Sequence, residues 1–211
     1  MVKIAIVFEA HGDDAAVGLG GTIIKLVKEG YYIIDVVFSA GQKSLPHFRE
    51  EVVIKKRINE TEGIWKQFGI KQNIFFGLED NNLKKEFEDK NIYDRVRRII
   101  KKYKPIKIFS TSETDPHKDH RAAYHLVNNV IKDLNYKCEY YNYEVWNVVN
   151  EAKPVVYSDI RNYFKAKMNL MKSFRSQWMF MYALLLPVYF RAKIDGIKSN
   201  CKYAEKLYRI R

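Results

Sequence analysis

The chain has 211 residues, 47% of them hydrophobic, and a formal net charge of +12. That length suits one substantial core and is short for two full domains. Its two cysteines, Cys138 and Cys201, form no CxxC pair, which argues against a disulfide framework and a thiolate zinc site. The opening MVKIAIVFEA lacks the layout of a signal peptide, so a reducing, cytoplasmic setting is expected.

Strand-like and helix-like segments alternate along the chain. Val2 to Phe8 is a strand-length apolar run rich in β-branched residues, and Val17 to Lys28 has a helical pattern that Gly30 stops. Ile33 to Phe38 reads as a second buried strand, followed by a loop from Ser39 to Pro46 and a long amphipathic helix to about Phe68. Asn73 to Phe76 is a short strand; Ile92, Val96, Ile99 and Ile100 mark one face of another helix. Pro105 separates that helix from a strand at Ile106 to Ser110, a further helix begins near His120, and Glu139 to Val145 reads as a fifth strand. Strands joined by crossover helices predict an α/β fold with a mostly parallel sheet covered on both faces.

Beyond Pro154 the character changes. From Arg161 onward twelve Lys and Arg stand against Asp195 and Glu205, so this segment carries +10 and the preceding 160 residues only +2. The expected organisation is a single domain, 1–211, with an α/β core at 1–153 and a basic segment at 154–211 packing on or capping it. Within that segment WMFMYALLLPVYF, Trp178 to Phe190, is uncharged, too short to span a bilayer and interrupted by Pro187. It reads first as a core segment or a contact between copies of the chain, and second as a membrane-interface patch or substrate lid. No nucleic-acid motif accompanies the basic charge, and no nucleic-acid partner is expected.

Chemistry-bearing residues gather after two strands. AHGDDAAVGLGGT, residues 10–22, follows the first strand, and TSETDPHKDHRAA, residues 111–123, follows the fourth. In open α/β sheets the ligand crevice lies outside the carboxyl ends of the strands, so the two clusters can converge. A dinucleotide cradle is disfavoured, because Gly18, Gly20 and Gly21 lie beyond the turn and the turn itself carries two carboxylates that would repel phosphate. A metal site is favoured: catalytic zinc takes three protein ligands and leaves a fourth position for water. His11 and Asp14 can supply two, and a histidine of HKDH the third. His47 and His125 have no such company and read as structural.

AHGDDAAVGLGGTIIKLVKEG resembles the AHPDDE signature of the PIG-L/LmbE family of zinc-dependent N-deacetylases, and His117-Lys118-Asp119-His120 resembles its H-P-D-H signature. RINETEGIWKQFGI, FFGLEDNNL and, toward the end, Asp159 through Lys167, Ser176-Gln177 and Tyr203-Ala204-Glu205 resemble further family segments in order. The resemblance implies a Rossmann-like three-layer fold and a hydrolase that removes acetyl from an N-acetylglucosamine-containing conjugate. It implies Zn2+ held by His11, Asp14 and His120, with Asp13 as general base and His117 stabilising the oxyanion and protonating the amine. Asp119 would fix a histidine ring from behind, and Arg57 and Asp80 would contact the sugar. The implied partner is a small amino-sugar conjugate; the basic C-terminal segment and the 178–190 run add the expectation that its remainder is anionic or lipid-linked and that the chain is cytoplasmic or peripheral to a membrane. Gly12, Ala15 and Lys118 depart from the signatures at positions usually proline, glutamate and proline. For that reason a non-catalytic sugar-binding homologue stands as one alternative, and a metal hydrolase of another amide or phosphoester as a second, since zinc-activated water serves several bonds.

Overall fold

In the β-branched run near the N terminus, alternate side chains sort the two faces of the molecule. The computed structural model describes residues 2–44, 47–89, 91–146, 148–149 and 151–211. Strand β1 is Ile4–His11. Its Ala5 and Val7 pack with Leu19 and Ile23 of helix α1 (Asp14–Lys28), Trp65 of α2 (Glu50–Gln67) and Leu170 of α6 (Phe164–Ser173). Its Ile6 and Phe8 pack on the other side with Ile100 of α4 (Ile92–Tyr103) and Val127 and Val130 of α5 (Lys118–Asp133). This period-two alternation buries both faces of the strand and makes three layers.

Helix α3 is Leu83–Asp89, and the remaining strands are β2 (Tyr32–Ser39), β3 (Gln72–Leu78), β4 (Lys107–Ser110), β5 (Glu139–Tyr143), β6 (Val155–Asp159) and β7 (Ala204–Arg209). They form one sheet in the order β3-β2-β1-β4-β5-β7-β6. The first five run parallel, whereas β7 pairs antiparallel with both β5 and β6. The expected α/β fold with a mostly parallel sheet is what forms. Strand order reverses between β1 and β4, so their carboxyl ends open the crevice that a doubly wound sheet offers a ligand.

Three boundaries differ from those read in the sequence. β1 continues to His11, α1 begins at Asp14, and α5 begins at Lys118, so each cluster of polar residues is part of a strand end or a helix start. Leu45 and Pro46, in the expected loop, lie outside the described residues. Pro187 does not interrupt its segment: helix α7 runs unbroken through it from Trp178 to Lys198. Proline removes one N–H, and the carbonyl it would leave free belongs to Ala183, which is exposed and open to water. Nor is the run mainly core. Met181 and Val188 are buried, but Trp178, Met179, Phe180, Tyr182, Leu186 and Phe190 are each more than half exposed. Among the described residues no helix is long and apolar enough to cross a membrane.

The glycines of α1 serve contact. A Cβ on Gly18 would stand 2.2 Å from the Glu144 carbonyl oxygen, and one on Gly21 would stand 2.8 Å from Ile160 Cδ1. Behind this contact Glu205 of β7 accepts from the backbone N–H of Gly21 (2.9 Å) and Thr22 (2.7 Å), and from Lys167 Nζ (2.7 Å). Both charged side chains are almost fully buried, and burial pulls the Lys167 ammonium below its ordinary value despite the Glu205 charge beside it. Lys167→Met leaves that carboxylate without its cation and should lower unfolding free energy by about 3–5 kcal/mol, the usual cost of breaking a buried pair. Urea titration reads the loss, and adding Glu205→Gln should return part of it by removing the stranded charge.

Candidate metal centre

β1 ends on His11 and α1 starts on Asp14, so only Gly12 and Asp13 separate them. The His11 backbone N–H donates to Asp14 Oδ2 at 2.9 Å, which folds the turn and aims the Asp14 carboxylate back at the imidazole. His11 Nδ1 stands 3.8 Å from Asp14 Oδ2, and His120 Nε2, from the first turn of α5, stands 3.3 Å from Asp14 Oδ1. His11, Asp14 and His120 each offer one donor atom, all within 4.8 Å of one another. These separations suit atoms about 2 Å from a common tetrahedral centre, and two imidazoles with one carboxylate are a donor set of catalytic zinc. The residues therefore fit a zinc ion with one position open.

Each imidazole also meets a carboxylate with its other nitrogen. His11 Nε2 lies 3.0 Å from Asp80 Oδ1 and 3.6 Å from Asp119 Oδ2; His120 Nδ1 lies 3.1 Å from Asp115 Oδ1. Such partners fix ring orientation and raise donor strength. Burial disfavours charge on His11, but Asp119, Asp80 and Asp14 outweigh it and push the ring up to about 10. For His120, burial is likewise outweighed by Asp14 and Asp115, and the ring rises to about 9. Asp14 responds in the opposite sense: burial works to raise it, while His120 and His11 hold it well below the usual carboxylate range. A second, overlapping donor group consists of His11, Asp80 and Asp119.

Asp119 thus stands behind His11, and its oxygens also accept from the N–H groups of Asn81 (2.7 Å) and Leu83 (3.3 Å). Those bonds draw the loop after β3, with Asp80, against the site. His117 caps α5, its Nδ1 accepting from the Asp119 N–H at 3.2 Å. A neutral His117 ring therefore carries its proton on Nε2. Burial, then the His120 and His11 charges, lower the His117 pKa below its ordinary value.

The R-x-x-E pair of α2 does two jobs. Buried Arg57 donates through Nη2 to Asp13 Oδ1 (3.1 Å) and through Nη1 to the Gly41 carbonyl (3.0 Å). Gly41 has φ of +66°, and a Cβ there would stand 1.9 Å from Arg57 Nη1, so glycine is required. One turn on, Glu60 accepts from the Ser176 N–H at 2.9 Å, which ties the start of α7 to α2. Beside it the Gln177 amide oxygen, turned toward its donors, accepts from Ser44 Oγ and Arg57 Nη1 at 3.1 Å each.

A cleft of about 440 Å³ opens over these groups. Its polar part includes His11, Asp13, Asp14, Arg57, Asp80, His117 and His120. Every residue read in the sequence as catalytic, binding or metal-ligating therefore lines this cleft, except Asp119, which stands behind it. Asp115, Glu9 and Gln177 were not singled out as site residues. Asp115 lay unmarked inside TSETDPHKDH, and its spacing of five before His120 is a signal only once α5 is known to start at Lys118. Glu9 is fully buried, accepts from the Ala15 N–H at 2.6 Å, and is pushed well above the carboxylate range by burial and then by Asp35.

A family model described as GlcNAc-PI de-N-acetylase, PIG-L, matches residues 6–131. This chain belongs to that family of deacetylases. It is 24% identical over 173 residues to the uncharacterized deacetylase YaiS of Escherichia coli K12, covering 79% of this chain and 88% of that one. Among solved structures it is similar to N,N'-diacetylchitobiose deacetylase from Pyrococcus horikoshii, with a TM-score of 0.83 and 22% identity over 99% of this chain and 84% of that one. It is also similar to GalB, the 4-carboxy-2-hydroxymuconate hydratase of Pseudomonas putida, with a TM-score of 0.81 and 20% identity over 100% and 97% of the two chains.

The departures from the family signatures now have surroundings. Lys118 is exposed and does not line the cleft, so it adds no cation to the site. Ala15 lacks a carboxylate, but Glu9 reaches its N–H from below. Gly12 is closely packed rather than loose: a Cβ there would stand 2.8 Å from Thr61 Oγ1 and 3.2 Å from Thr61 Cγ2. Gly12→Ala should destabilise the chain by about 1–3 kcal/mol, the cost of overpacking. In a Thr61→Ala background the same change should cost little, since the remaining contact is with Cβ at 3.5 Å. Thermal unfolding of the four proteins of this cycle measures the coupling.

Proposed function

We propose that this chain hydrolyses the acetamide of an N-acetylglucosamine-containing conjugate, releasing acetate and a free amine, with zinc held by His11, Asp14 and His120. The observation that carries the reading is the placement of Asp13 beside that donor set, at the mouth of a cleft large enough for a sugar, in a chain of a deacetylase family. Zinc bound there supplies Lewis acidity, polarising the amide carbonyl and lowering the pKa of a water. Asp13 takes the proton of the attacking water. Its Oδ1 is occupied by Arg57, so Oδ2 is the oxygen left to accept, and the guanidinium holds the carboxylate in one orientation. His117 donates its Nε2–H to the oxygen that becomes negative as the carbonyl carbon turns tetrahedral. As the C–N bond breaks, the proton gathered by Asp13 passes to the departing nitrogen, so the amine leaves and Asp13 is a carboxylate again, while the His117 Nε2–H keeps its hydrogen bond to the carbonyl-derived oxygen. Asp80 and Arg57 line the cleft where sugar hydroxyls would bind.

Acetate release from a panel of N-acetylglucosaminides tests the activity. It should be abolished by a chelator and restored by added zinc; release that survives chelation, or none with any glucosaminide in the presence of zinc, would reject the proposal. Asp13→Asn should retain bound zinc while lowering kcat by two to four orders of magnitude, about the span that a general base contributes. Zinc loss in that variant, measured by metal analysis, would mean that Asp13 rather than Asp14 is the ligand.

A further inference from the structure

We infer that the conjugate carries an apolar aglycone, an alkyl chain or aromatic group attached to the amino sugar, and that the start of α7 with Trp146 forms its binding wall. This rests on the amino-sugar reading of the same site. The cleft over the metal donors is lined as well by Val145, Trp146, Phe180, Met181, Ala183 and Leu184, the last four from the first two turns of α7. No charged side chain stands among these six, and the only side-chain hydrogen-bonding group is the Trp146 indole N–H. Beyond its first turn the backbone of α7 is engaged within its own helix, apart from the carbonyl of Ala183 that Pro187 frees.

A second sugar placed there would lose water from several hydroxyls and find almost no partners, a penalty incurred for each unmatched group. An apolar group has the opposite balance. Trp146 and Phe180 are 47% and 59% exposed, and Leu184 is half-buried, so an aglycone laid on them removes apolar surface of both partners from water. The polar part orients and the apolar part adds affinity, which is the usual division in small-molecule sites. The bond from Ser176 to Glu60 fixes the start of α7 over the cleft, so the wall is built before substrate arrives.

The test is a series of N-acetylglucosaminides with methyl, butyl, hexyl and octyl aglycones, together with the disaccharide of N-acetylglucosamine, all below their critical micelle concentrations. kcat/KM should rise about two- to fourfold per methylene in contact with the wall, and the disaccharide should fall below the butyl glycoside. Leu184→Ser and Phe180→Ser, both at positions with solvent access, should each cut the octyl-to-methyl ratio by about tenfold. Binding is read separately by tryptophan fluorescence with octyl and methyl β-glucosides, which contain no acetamide. Tighter octyl binding without any acetate release would keep the wall and reject the deacetylase reading. A flat series with active enzyme, a disaccharide preferred over the alkyl glycosides, or a chain-length effect confined to micelles or vesicles would overturn the wall.

Discussion

Five buried carboxylates, Glu9, Asp14, Asp80, Asp115 and Asp119, crowd around two imidazoles at the adjoining ends of β1 and β4. Such a concentration of negative charge away from water is tolerable only when cations or hydrogen-bond donors face it. Much of the local architecture answers that demand. Backbone N–H groups of His11, Ala15, Asn81, Leu83 and His117 each donate to one of the five. These bonds fix the turn after β1, the loop after β3 and the start of α5, so electrostatic need and shape of the cleft have one origin. The centre that results is most comfortable around a positive ion.

Much of this was legible in the sequence because local pattern and chemistry agreed. Apolar and aromatic runs marked all five parallel strands near their observed places, and two polar clusters at strand ends pointed to one crevice. What was missed depended on distant partners. β7 reads as part of a basic tail, and nothing in AEKLYR says that it will enter the sheet between β5 and β6. Asp115 gained meaning only when α5 turned His120 toward it. Gly12 read only as a departure from the signature proline, and its close packing depends on Thr61, forty-nine positions away, which fills the space a side chain would need. The run on α7 was read first as core or as a contact between copies, and its exposure sets aside only the core half: hydrophobicity predicts burial on average, but apolar side chains also stay open where they line a cleft.

The two ends of the cleft come from different parts of the chain and are joined through small anchor points. α2 carries both Arg57, which steadies Asp13, and Glu60, which holds the start of α7. A disturbance of α2 would reach both Asp13, the proposed base, and the start of α7. Solved structures at about one-fifth identity keep the same fold.

The insertion of β7 has a consequence for how the molecule is made. On the ribosome β1 to β5 emerge in the order in which they can assemble, but β5 must wait with a bare edge while β6, α6 and α7 are synthesised. During that interval a young chain presents an unpaired strand and the exposed apolar run of α7 together, a combination that invites association with other nascent chains. Arrival of β7 closes the edge, brings Glu205 to Lys167 and locks α1 in place, so the final strand to join the sheet acts as its keystone.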